Sequence, residues 1–167
     1  MAAQSELSNN VLVTADSATG TGMFIIGKEG RTGTTPLWTQ KTEGSKAYFP
    51  LKIQNSAALV QDYQLYASSS KVEPTLTSGD YSTLVKNTIT PFTSGLKVEF
   101  YKVEAGQCKV GLTGQQITQL NIAANTVGQV CAVVTVSASI TSTTNIWFAI
   151  ESLQSGLGDI ILDAVIA

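Results

Sequence analysis

The sequence predicts an all-β protein, an antiparallel β-sandwich preceded by an N-terminal arm. Three observations point there. Short runs alternate apolar and polar side chains with a period of two, clusters of Gly, Ser, Thr and Asp separate those runs, and no stretch keeps a 3.6-residue apolar stripe for three turns. At 167 residues the chain is one domain, and a domain of that size buries roughly 70% of its unfolded surface, enough for an ordinary hydrophobic core.

Ala47, Phe49, Leu51 and Ile53 alternate with Tyr48, Pro50, Lys52 and Gln54, so one face of this strand meets a core. Pro50 lacks an amide hydrogen and belongs at a sheet edge or a bulge. Asp62 to Ser69 repeats the alternation through Tyr63, Leu65 and Ala67, and pairs with the preceding strand either directly or across the sandwich. Leu96, Val98 and Phe100 alternate with Lys97, Glu99 and Tyr101, a strand with opposite charges on its wet face. Val130 to Val136 is apolar on both faces and β-branched, which suits a central strand with Cys131 in the interior. Ile146 to Ile150 and Asp159 to Ala167 supply two more strands, and Val11 to Thr14 and Met23 to Ile26 two shorter ones near the start. The glycines between Gly20 and Gly33, with Pro36, make the early connections loops, as do Ser68 to Ser70 and Thr75 to Asp80. Residues 1–22 read as an arm or an extra strand, and 23–167 as the sandwich.

Ten basic against twelve acidic side chains produce no field that collects nucleic acid or anionic lipid. No apolar run reaches the roughly 20 residues of a membrane span. With no histidine in the chain, the commonest general base and transition-metal ligand are missing. Cys108 and Cys131 lack the CxxC or Cys/His context of a zinc or thioredoxin site. They form either one disulfide or two buried thiols. Ser and Thr make up more than a fifth of the chain and charges only 13%, a composition of secreted β proteins that favours the disulfide. The start, Met1-Ala2-Ala3-Gln4, has no signal-peptide pattern and reads as lying near a mature terminus.

The order of these runs resembles the conserved repeat domain of large bacterial cell-surface proteins, an immunoglobulin-like sandwich of unassigned function. Ala47 to Asn55 is followed by Asp62-Tyr63-Gln64-Leu65, then Leu96 to Tyr101, a cysteine, Ile117-Thr118, and Val130 to Val136. The likeness covers residues 45–167 and implies an immunoglobulin-like fold with a cysteine pair at Cys108 and Cys131. Asn55-Ser56-Ala57 departs from the family's Asn-x-Gly turn, and the Gly-rich start has no counterpart.

No catalytic constellation emerges. Asp159 and Asp163 lie four apart, about 13 Å along a strand at roughly 3.3 Å per residue, and read as solvent-facing. Gly27 to Gly33 lacks the context of a phosphate loop, and Lys86 near Ser82 and Thr83 is coincidental spacing. Calcium is the one cation such a chain is suited to hold, through loop carboxylates such as Asp16, Asp80 or Glu104, although no calcium-loop motif occurs. Trp147 reads as packed in a sheet, whereas Trp38 and the tyrosines are candidates for a glycan contact.

The sequence therefore points to a non-enzymatic extracellular protein at the cell surface. Its expected role is a self-assembling subunit of a filament, sheath or layer, with Val11, Leu12, Val13 and Thr14, or the terminal strand, as the subunit contact. The alternative is an adhesin repeat or carbohydrate-binding module of a larger surface protein.

Overall fold

The computed structural model describes residues 11–16, 23–25, 36, 39–55, 58–68, 95–104, 106–154 and 158–167. The strands in chain order are β1 (Val11–Asp16), β2 (Met23–Ile25), β3 (Thr39–Lys41), β4 (Lys46–Asn55), β5 (Gln61–Ser68), β6 (Leu96–Lys102), β7 (Gln115–Ile117), β8 (Gln119–Ile122), β9 (Thr126–Val136), β10 (Thr144–Ser152) and β11 (Gly158–Ile166). One sheet runs β2-β1-β4-β9-β6-β7, the other β3-β11-β10-β5-β8. All pairings are antiparallel except β3 with β11.

Removing the four short strands leaves β1-β4-β9-β6 facing β5-β10-β11. These orders are those of the seven-stranded immunoglobulin sandwich, in which the first, second, fifth and fourth strands form one sheet and the third, sixth and seventh the other. The fold is thus an immunoglobulin-like β-sandwich. Thr118 separates β7 from β8, and the chain changes sheet there.

Alternation explains the core. Ala47, Phe49, Leu51 and Ile53 of β4 and Val130, Ala132, Val134 and Val136 of β9 face inward against Tyr63 and Leu65 of β5 and Ile146, Phe148 and Ile150 of β10. Phe148 links the layers, its ring centroid 5.3 Å from that of Phe49 and 6.3 Å from that of Phe100 in an edge-on arrangement. β4 and β5 lie in different sheets and so meet across the sandwich. Pro50 stands immediately beyond the Leu51–Asn55 stretch that β1 covers, where one ladder has ended.

One expectation, at Asp163, is overturned, and two others take a definite place. Residues 11–16, within the stretch read as an arm or an extra strand, form a strand: Val11 to Ala15 pair with Asn55 to Leu51, and β1 lies between β2 and β4 in its sheet. Asp163 is buried rather than wet, because its register opposite Ile146 puts it on the core side of β11, beside Val165 two positions on. Cys131 is fully buried, as expected, and lies on the face of its sheet turned away from the main core. The core-facing residues of β9 are its even-numbered ones, and Cys131 shares the opposite face with Val133.

Asn55 closes one end of the sandwich. Its buried Nδ2 donates to the carbonyls of Leu59 and Ile122, each at 3.0 Å, and lies 3.3 Å from that of Ala123. It thereby ties the β4–β5 loop to the β8–β9 turn.

Tyr63 offers a test of the core. Burial pushes its phenol well above the ordinary value of 10. The folded state therefore holds this proton when the unfolded chain has lost its own. Stability from Tyr63 is complete below about pH 10 and declines as pH rises beyond it. Ultraviolet titration should show Tyr63 failing to ionise until the chain unfolds, and Tyr63→Phe should lessen the alkaline loss. An early, reversible ionisation of all five tyrosines contradicts the packing.

Candidate functional site

Two features of the described residues bear on function: a disulfide-tied loop and sheet edges formed by short strands. Each sheet ends in short strands of three or four residues: β2 and β7 on one, β3 and β8 on the other. Short edges limit indiscriminate strand pairing. β3 registers only against Ala164, Val165 and Ile166 of β11. Among the described strands none is registered against the same edge over Gly158–Leu162. At that end of the sandwich stand the exposed side chains of Leu59, Val60 and Leu153, where the Leu153 amide donates to the Asp62 carbonyl at 2.8 Å.

The same end carries a polar lattice. Asn121 Nδ2 donates to Asp62 Oδ1 at 2.7 Å, Gln154 Nε2 to Asp62 Oδ2 at 2.9 Å, and the Asp62 amide to Gln154 Oε1 at 2.7 Å. The donated bonds, that from Asn121 foremost and then that from Gln154, hold the Asp62 carboxyl below its ordinary range. Gln119 Nε2 donates to Gln64 Oε1 across β8 and β5 at 3.2 Å, and the Ser152 hydroxyl donates to buried Gln61. These bonds fix the loops around the exposed apolar groups.

On the other sheet, Cys108 and Cys131 form a disulfide, with Cα atoms 5.2 Å apart. It draws the β6–β7 loop down over β9 and covers what would otherwise be a wet face of the strand. Turn bonds from Gln107 N to Glu104 O, Lys109 N to Gln107 O and Leu112 N to Lys109 O support the loop. Gly114 returns the chain so close to β6 that a Cβ there would lie 2.1 Å from the Lys102 carbonyl oxygen, which excludes any side chain without movement of the backbone. Lys97 and Glu99 sit 3.7 Å apart on the exposed face of β6.

Of the other expected site residues, Trp38 and Asp80 lie outside the described residues. So do the Gly27 to Gly33 stretch and Lys86. Glu104 is exposed, and Asp16 ends β1. Among the described residues no three of His, Cys, Asp and Glu gather around one point, and no helix is long and apolar enough to cross a membrane. Trp147 is packed in its sheet, 1% exposed.

No family model matches the sequence, and no curated protein matches it at a significant level. Solved structures do match in shape. A FixG-related protein from Vibrio parahaemolyticus is 10% identical, with a TM-score of 0.44 over 72% of this chain and 77% of that one. A family 123 glycoside hydrolase from Clostridium perfringens is 9% identical, with a TM-score of 0.47 over 77% of this chain but only 22% of its own. A structure of a chaperone–tip adhesin complex of CFA/I fimbriae is 9% identical, with a TM-score of 0.40 over 93% of this chain and 56% of that one. Likenesses this distant bear on neither activity nor partner. The resemblance to surface-protein repeats stands at the level of the immunoglobulin-like sandwich itself.

Proposed function

We propose that this protein is a non-enzymatic, extracellular structural subunit that assembles with copies of itself into a surface filament, sheath or layer by β-strand addition. The observation that carries the reading is the outer edge of β11 over Gly158–Leu162, against which no described strand is registered. A strand edge presents alternating amide and carbonyl groups that a neighbour's strand can satisfy. The exposed Leu59, Val60 and Leu153 at the same end add apolar area to such a contact. The Cys108–Cys131 disulfide supports an oxidising compartment. With β1 already paired inside its own sheet, the contact moves from Val11–Thr14 to the terminal strand.

Light scattering after size exclusion, at rising protein concentration, with negative-stain electron microscopy of the same samples, tests this. Concentration-dependent assembly is expected, with slowed hydrogen exchange at the amides of Gly158–Leu162 in the assembled form. A strict monomer at every concentration overturns it in favour of a repeat or binding module within a longer chain. Assembly that protects a different edge overturns the assignment to β11.

A further inference from the structure

We infer that the outer face of the first sheet carries a binding cleft for a single neutral sugar ring, built between Tyr48, Tyr101 and the disulfide-tied β6–β7 loop. The cleft has a volume of about 170 Å³ and is lined by Lys46, Tyr48, Tyr101, Gly111, Leu112 and Val133. Strand order makes it. β9 lies between β4 and β6, Tyr48 is registered opposite Val133, and Tyr101 opposite Cys131. Tyr48 is directly opposed to Val133, about 5 Å away at Cβ, and Tyr101 stands diagonal to it, within reach of an aromatic side chain, so the two phenols line a cleft floored by buried Val133. The loop supplies the remaining wall through Leu112 and the backbone of Gly111, whose φ of 85° lies in the left-handed region.

The chemistry of the lining selects the ligand. Phenol faces and an apolar floor suit the C–H faces of a pyranose. Around them stand the donor-only ammonium of Lys46 and the phenol hydroxyls, which serve both ways, with the Glu99 carboxylate, opposite Val133 on the neighbouring strand, outside the lining. Hydroxyls around a sugar ring use both kinds of partner. Of the lining residues only Lys46 is charged, and the nearby Glu99 is already paired with Lys97 at 3.7 Å, so the cleft holds no charge pair built for an ionic ligand. A volume well below the roughly 300–1,000 Å³ of drug-sized pockets limits the occupant to one ring. Burial, and then the neighbouring charge and hydrogen bond of Glu99, push the Tyr101 phenol up, so it stays a neutral hydroxyl. The disulfide and the loop's turn bonds hold the wall in place before any ligand arrives, which lowers the ordering cost of binding.

Amide NMR titration of the intact protein with the methyl glycosides of glucose, galactose, mannose and N-acetylglucosamine tests the cleft. At least one should give saturable shifts at Gly111, Leu112 and Val133. Tyr48→Ala and Tyr101→Ala should each abolish them, and Tyr101→Phe should weaken them without abolishing them. Both tyrosines are only half-buried on an outer face, and unchanged Phe148 shifts would confirm that the variants are folded. If none of these glycosides saturates, or if the shifts survive the Tyr48→Ala/Tyr101→Ala double substitution, the cleft is not a sugar site. The cleft and the β11 edge lie on different sheets, so the outcome here is independent of whether the protein assembles.

Discussion

Phe148→Ala is expected to lower the unfolding free energy by about 3–5 kcal/mol, the cost of deleting a fully buried aromatic ring and leaving its cavity. Phe148 is 1% exposed on β10 and touches Phe49 of β4 and Phe100 of β6. It is therefore a cross-layer contact, and truncation removes ring contacts made by two strands of the opposite sheet. The polar lattice at Asp62 and the disulfide both lie away from this cluster and do not fill the hole. A domain typically has about 5–15 kcal/mol to lose, so the variant should remain folded only narrowly, or not at all at growth temperature. Urea unfolding should show a lowered midpoint with an unchanged slope, and the melting temperature should fall by roughly 2–4 °C per kcal/mol. Phe148→Leu should cost less, since most of the volume is kept. A loss under about 1 kcal/mol for the alanine variant would mean that the two layers do not meet around this ring.

The part of the fold written in local periodicity was legible. Ala47 to Ile53 and Leu96 to Phe100 alternate, and both strands turn those residues to the core. Val130 to Val136 reads as buried on both faces, and it is. What periodicity does not encode is which neighbour provides the burial. The second face of β9 is covered by a loop pinned through Cys108, and a loop has no period to reveal its destination. Asp163 was misplaced for a related reason. A carboxylate is assigned to water by its own solvation, whereas its side is decided by a register set against Ile146 on another strand. Val11 to Thr14 has strand character in isolation, but only the pairing with Leu51 to Asn55 makes it part of the sheet. Tyr48 and Tyr101 were each legible as outward-facing. Their approach depends on β9 lying between β4 and β6, which follows from topology and not from either segment.

Replacing Cys108 and Cys131 together by alanine is expected to cost about 3 kcal/mol. The bridge spans 23 residues, and on the chain-entropy account closing a loop of that size removes about that much free energy of disorder from the unfolded state. Alanine is the appropriate replacement at position 131 because the site is fully buried, and a serine hydroxyl there adds roughly 1–3 kcal/mol if it finds no partner. Two consequences separate. In the unfolded ensemble the lost constraint lowers stability, seen as a reduced urea midpoint. In the folded state the β6–β7 loop is released from β9, so amides from Gln107 to Thr113 should exchange faster while those of β4 and β10 keep their order of protection. The sandwich core lies on the opposite face of β9 from the bridge, and for that reason the variant should still fold, with the Tyr48–Tyr101 cleft opened on its loop side. Mass spectrometry under non-reducing conditions should find the wild-type chain two hydrogens lighter than its reduced form. An alanine pair as stable as wild type, with an equally protected loop, would show that turn bonds and Gly114 alone hold the excursion down. The case for an oxidising compartment would then lose its energetic basis.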